Sequence, residues 1–148
     1  MRAVVQRVAC ARVTVSGREL SAIGRGLLVL LGVAHRDNAV AAEWLFDKIV
    51  NMRIFADANG KFDHSLRDLG AELMVVSQFT LYADTRKGRR PSFADAAPPA
   101  EAERLYNHFI RHARQQGMRV AAGEFGAHMQ VEFVNDGPVT IIVDSPAT

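Results

Sequence analysis

Two hydroxyls, Ser77 and Thr80, enclose Gln78 and Phe79 at the end of the apolar run that begins at Glu72. A hydroxyl at a strand end is a candidate nucleophile when a base reaches it, and His64 or His128 would have to supply that base from distant parts of the chain. No Gly-x-Ser-x-Gly elbow is present. Hydroxyls in such positions also satisfy nearby backbone groups, and the spacing alone favours that plainer role.

His108 and His112 stand four apart on an expected helix and would share a face, the first requirement of a metal pair. A third ligand at a recognisable spacing is missing, so the pair reads as solvated or half-buried histidines; no metal or cofactor is expected. The segment from Thr85 to Pro91 is denser in charge than any other: Arg86, Lys87, Arg89 and Arg90 fall within five residues, broken by Gly88. Arginine forks match phosphate oxygens, which makes this loop a candidate phosphate clamp, with a merely solvated loop as the equal alternative. Asp136-Gly137-Pro138 has the composition of a tight turn. Proline between two strands sacrifices a ladder hydrogen bond, so that backbone invites another use; the isomer of the Gly137-Pro138 bond stays open at this point.

The elements that must position these groups follow from periodicity. Residues 2 to 15 alternate, with Ala3, Val5, Ala9, Ala11, Val13 and Val15 on one face, interrupted by Arg7. Turns at Ser16-Gly17 and Gly24 to Gly26 bound a short strand near 18 to 23, and Leu27 to Val33 is an apolar run suited to a buried central strand. Asp37 and Asn38 both suit the cap of an expected helix over 38 to 51, with Ala41, Trp44, Leu45, Ile49 and Met52 on one face. Asp57 to Gly60 is a turn, and 72 to 81 is a strand. Pro98-Pro99 opens a second long helix carrying Ala102, Leu105, Phe109 and Ala113 and ending before Gly117. Strands 129 to 134 and 139 to 143 are expected to pair as a hairpin about Asp136-Gly137. Residues 84 to 97 form the one long irregular stretch. The order describes an α+β domain with mixed, mostly antiparallel sheets and two long helices on one side.

Composition bounds the rest. A chain of 148 residues with 49% apolar and 23% charged residues suits one globular domain over 1–148. Its lone Cys10 has no partner for an intramolecular disulfide, and no run approaches the length of a membrane span, so a cytoplasmic protein without a membrane partner is expected. A net charge of +2 does not by itself demand a nucleic acid.

Taken together, Met1 to Val8, Ser77-Gln78-Phe79-Thr80-Leu81, Asp84 to Gly88, Phe125 to Met129 and Asn135-Asp136-Gly137-Pro138-Val139-Thr140 closely resemble the D-aminoacyl-tRNA deacylases over essentially the whole chain. The resemblance implies a three-layer α/β/β subunit, a homodimer, and a carboxylic ester hydrolase that edits D-aminoacyl-tRNA. It also implies activity on glycyl-tRNA, including glycine mischarged on tRNA-Ala. In such enzymes Gly137 and Pro138, joined by a cis bond, enter the partner's pocket beside Ser77, Gln78, Phe79 and Thr80 and reject L-amino acids. Arg7 orients that turn, Phe79 and Met129 line the pocket, and the RNA's 2'-hydroxyl assists, so Thr80 need not be a nucleophile. The tRNA is the expected partner, through Arg86, Lys87, Arg89 and Arg90, with no DNA. Two alternatives remain: a relative with shifted editing specificity, and a noncatalytic tRNA-binding module.

Overall fold

In chain order the elements are β1 (Arg2–Val15), β2 (Arg18–Ile23), β3 (Gly26–Gly32), α1 (Ala39–Asn51), β4 (Phe55–Ala56), β5 (Phe62–His64), α2 (Leu66–Leu69), β6 (Glu72–Ser77), a 3-10 turn (Phe79–Tyr82), α3 (Pro99–Gln115), β7 (Val120–Ala122) and β8 (Met129–Asp144). The computed structural model describes residues 1–146.

β1 organises the sheet. Along one edge it pairs antiparallel with β2 and then β3, Ala11 facing Ile23 and Val8 facing Gly26 in one register, with a shift between Val13 and Thr14 at the far end of β2. Along the other it pairs with β8 from end to end. β6 and β7 continue from β3 as parallel neighbours. The mixed, mostly antiparallel sheet expected from the periodicity is therefore present.

The apolar run in β3 is buried on both faces, and its alternation sorts side chains into two cores. Leu27, Val29 and Leu31 join Leu73 and Val75 of β6 beneath the helices, against Leu45, Phe46, Ile49, Leu105 and Phe109. Leu28, with Met74 and Val76, faces the opposite way onto Val8, Ala11 and Val13 of β1. Helices thus cover one face and strands the other, which is a three-layer α/β/β arrangement. Burying each such side chain contributes roughly 1.5–3 kcal/mol. Close approach of β3 to β6 requires Gly26, because a Cβ there would lie 1.9 Å from the carbonyl oxygen of Glu72.

The helices form as expected. Asn38 accepts a hydrogen bond from the Ala41 amide at 3.0 Å and starts α1 at Ala39; Ala41, Leu45 and Ile49 are buried, whereas Trp44 is 40% exposed. α3 begins with proline in its first turn. No described helix is long and apolar enough to cross a membrane.

Four expectations are corrected. Segments 129–134 and 140–144 do not pair with each other as a hairpin; both pair with β1, as one long strand interrupted by an excursion. Register irregularities between Gln6 and Cys10 shift the phase of β1, so Val8 is buried and Ala9 exposed, the reverse of strict alternation. The strand expected to reach Leu81 ends at Ser77 and passes into the 3-10 turn. α2 was not expected, although Ser65 and Asp68 form a capping box that the sequence Ser-x-x-Asp carries.

Candidate active site and the interrupted strand

β6 delivers Ser77 to the end of the sheet opposite Leu31, and the Gln78 amide extends the pairing by donating to the Leu31 carbonyl at 2.8 Å. The chain then tightens into the 3-10 turn, which nests on Gly32: a Cβ there would meet the Gln78 oxygen at 3.1 Å and the Leu81 and Tyr82 side chains at 3.2 Å. The first closing bond of the turn runs from the Leu81 amide to the Gln78 carbonyl. The amides of Phe79 and Thr80 precede it, so no carbonyl of the turn accepts from them, and they are donors open to a ligand.

Ser77, Gln78 and Phe79 stand at the edge of a cavity of about 730 Å³. Its walls are mainly apolar. Tyr106 rises from α3, Phe125 and Ala127 come from the segment before β8 and Met129 from its first residue, and Phe93, Ala94 and the run from Ala96 to Pro99 close the far side. The Tyr106 hydroxyl donates to the Val75 carbonyl at 2.8 Å, and burial pushes its pKa up to about 12, so it is neutral. Phe79, 56% exposed, packs edge-to-face on Phe93 with ring centroids 5.0 Å apart, forming an aromatic lip.

No Ser/His/Asp arrangement is assembled among the described residues. The Thr80 hydroxyl accepts from Gln78 Nε2, and Thr80 is exposed outside the cavity lining. His128 and His35 line the cavity, but His35 Nε2 sits 2.9 Å from the Ala94 carbonyl, and no described hydrogen bond joins either hydroxyl to an imidazole or carboxylate. His64 belongs to β5, away from this lining. His108 contacts Glu43 at 2.8 Å, and His112 stacks on the His108 ring and meets Phe46 edge-to-face; no group of three or more candidate ligands capable of holding a metal occurs among the described residues.

Gly137 and Pro138 lie elsewhere. Gln6 faces Thr140 and Val8 faces Asn135, so residues 136–139 leave the ladder opposite Arg7. The Gly137-Pro138 bond is cis, and Gly137 has φ +146°. Both residues are exposed and neither lines the cavity of its own chain. Side chains tie the base of the excursion: Asn135 Oδ1 accepts from the Val139 amide and its Nδ2 donates to Thr140 Oγ1, each at 3.0 Å. Arg7 braces it from behind, with Nε donating to the Asp136 carbonyl at 2.9 Å and a terminal nitrogen donating to the Ile54 carbonyl at 2.6 Å. That explains a largely buried arginine, its side chain 11% exposed, interrupting the apolar face expected of β1.

The basic loop adjoins the 3-10 turn. Asp84 and Ser92 close it by two backbone bonds of 2.7 and 2.9 Å, and the Asp84 carboxylate takes Arg86 in a bidentate pair of 2.8 and 2.7 Å, which holds its pKa down at about 2. Lys87, Arg89 and Arg90 are exposed. Phe93 on the returning limb was not singled out in the sequence; an aromatic beside a charge cluster was the available signal.

An α/β/β domain with an apolar cavity at its sheet end and, apart from it, a braced cis Gly-Pro excursion defines the class of fold to which the chain belongs. Within that class, this chain belongs to the D-Tyr-tRNA(Tyr) deacylase family, whose model matches residues 4–144. It is 63% identical to a D-aminoacyl-tRNA deacylase of Dehalococcoides mccartyi strain BAV1 over 145 residues, covering 98% of this chain and 95% of the relative. It is 55% identical to the D-aminoacyl-tRNA deacylase of Clostridioides difficile strain 630, covering 98% and 97%. Among solved structures, one described as the c-Myc DNA unwinding element binding protein superposes with TM-score 0.93 at 47% identity, covering 99% and 100%. A probable eukaryotic D-amino acid tRNA deacylase superposes with TM-score 0.87 at 18% identity, covering 97% and 98%, a likeness of fold.

Proposed function

We propose that this chain is an editing hydrolase that cleaves the ester of D-aminoacyl-tRNA to free amino acid and tRNA while sparing the L-ester. The observation that carries the reading is the pair of open amides at Phe79 and Thr80, set at the mouth of a cavity whose apolar walls suit a terminal nucleoside. These amides face where a carbonyl oxygen gathers charge when water adds to the ester, and preorganised donors of this kind lower such barriers. Ser77 and Gln78 shape the rim. The vicinal 2'-hydroxyl of the RNA assists proton transfer to the departing 3'-oxygen, so Thr80 acts in positioning through Gln78.

Chiral selection belongs to the Gly137-Pro138 backbone, which a second copy of the chain inserts into the cavity beside Met129. Its exposure, and its absence from the lining of its own chain's cavity, support a homodimer, as do the exposed apolar side chains of Phe133, Val134 and Ile142 on β8. A D side chain points outward from such a backbone, an L side chain collides with it, and glycine passes, which makes glycyl-tRNA, including glycine on tRNA-Ala, a second substrate. Lys87, Arg89 and Arg90, with Arg86, take tRNA phosphates. Such a substrate places the protein in the cytoplasm.

Parallel assays of D-tyrosyl-, L-tyrosyl- and glycyl-tRNA test the reading. Release of D-tyrosine and glycine with the L-ester intact is expected; equal cleavage of D- and L-esters contradicts the filter and favours a relative with shifted specificity. A second reading, nucleic-acid binding without cleavage, draws on the basic loop and on the solved relative described as a DNA-element binder. Tight binding of uncharged tRNA or duplex DNA with no amino acid released would establish it.

A further inference from the structure

The β4–β5 hairpin carries an unusual side chain for its place. Phe62 is 54% exposed on a strand of three residues, yet its ring lies beneath the Arg7 guanidinium, 5.5 Å from carbon to centroid. The same guanidinium donates to Ile54, just before β4, and to Asp136 in the Gly-Pro excursion. The hairpin therefore holds Arg7 twice, once by a carbonyl in the plane of the guanidinium and once by an aromatic face against it.

The hairpin is itself well fixed. Asp57 Oδ1 accepts from the amides of Asn59 and Lys61 at 2.8 and 2.9 Å, closing the turn, and those bonds hold the Asp57 carboxyl below its usual range. At its root, Phe55 is fully buried and Arg25 lies over its ring at 5.4 Å. A stable platform thus places Phe62. Arg7 in turn is close-fitted to the excursion, since a Cβ on Gly137 would meet its terminal nitrogen at 3.3 Å.

We infer that Phe62 is a positioning residue for chiral selection: its ring fixes the plane of the Arg7 guanidinium, which fixes the Asp136 carbonyl and with it the backbone of Gly137-Pro138. The consequence for selectivity rests on the deacylase reading above. Both hydrogen bonds of Arg7 lie near the plane of its guanidinium and leave tilting about that plane unopposed. The ring face of Phe62 resists the tilt, and a cation held over an aromatic face gains from staying there.

The test compares Phe62→Leu, which keeps apolar bulk without a π face, with Phe62→Trp, which restores one. Phe62→Leu is expected to lower the ratio of D- to L-tyrosyl-tRNA cleavage by roughly 2- to 30-fold, the range of a cation–π contact from exposed to desolvated settings. Affinity for uncharged tRNA should not change, and Phe62→Trp should return the ratio to the parent value. Hydrogen exchange at the Arg7 Nε, followed by NMR, reads the packing without any reaction: faster in Phe62→Leu, restored in Phe62→Trp. Equal exchange in all three proteins overturns the positioning role. So does a selectivity ratio that is the same for leucine and tryptophan. Faster exchange in Phe62→Leu in a parent protein that cleaves no D-ester would support the positioning of the turn and overturn the deacylase reading instead.

Discussion

Ser77 to Tyr82 and Asn135 to Thr140 are both short departures from a strand, yet they are built for opposite ends. The first turns inward: it caps β6, rests on Gly32, borders a cavity of its own chain and keeps its side chains in contact with one another through Gln78 and Thr80. The second turns outward. β8 pairs with β1 on both sides of residues 136–139, with the register shifted between Gln6 and Cys10, and those residues are stapled by Asn135 and braced by Arg7 although they do not line the cavity of their own chain. Exposed backbone fixed so firmly supports the proposed division of labour, a pocket on one chain and a selector on another.

The comparison breaks most visibly at Gly137. A methyl group there would meet Val139 Cγ2 at 2.8 Å and the Val139 amide nitrogen at 2.9 Å, at a φ that disfavours L side chains. Strain of about 1–3 kcal/mol at the selector should reduce D-ester cleavage by roughly 5- to 150-fold in Gly137→Ala and lower the melting temperature by roughly 3–10 °C. Unchanged cleavage and selectivity would show that the excursion selects nothing.

The basic loop lies beside the inward turn, and its removal should separate binding from chemistry. Replacing Lys87, Arg89 and Arg90 by alanine should weaken tRNA binding about tenfold or more and flatten its salt dependence by about 0.9 in log–log slope per lost phosphate contact. Anisotropy across a salt series measures both. Cleavage at saturating tRNA should persist; an unchanged slope would leave the loop solvated and idle.

Thr80→Ala sharpens the inward side. Loss of an acid–base group costs about 10²- to 10⁴-fold, so a single-turnover rate within roughly fivefold of the parent identifies Thr80 as a positioning residue. A dead but folded protein would restore it as a participant.

Asp84→Asn should have the smallest effect. With its pKa held at about 2 by Arg86, Asp84 is ionised throughout the range of any assay, and the pair, formed only while the carboxylate is charged, is lost only as pH falls through that value. Freeing Arg86 should tighten tRNA binding by roughly twofold, as befits an exposed pair; weaker binding would mean that the closed loop matters more than the charge.

Much of this was legible in the residues. Asn38, the prolines before α3 and the spacing of apolar side chains located both long helices, and the uninterrupted run in β3 announced a strand buried on two faces. Of the blocks that carried the resemblance, those at 77–81 and 125–129 meet at the cavity, and that at 135–140 holds the excursion. What sequence could not show was pairing. Asp136-Gly137 signals a reversal, and a local signal is the same whether the flanking strands bond to each other or both bond to β1. The phase slip at Arg7 was hidden for a related reason: it compensates for residues far along the chain. Phe93 escaped because apolar residues in irregular segments carry no periodicity, and β7 escaped because three residues hold too little pattern.

Complementation between two inactive variants tests the divided site most directly. Ala94→Trp fills the exposed edge of the cavity and Gly137→Val disables the selector, and each homodimer should be inactive on D-tyrosyl-tRNA. Mixed and reassembled in equal amounts, half the dimers are hybrids with one intact site of two, so about a quarter of the parent activity should return. A mixture no more active than its components, with hybrid dimers present, would contradict a site shared between chains.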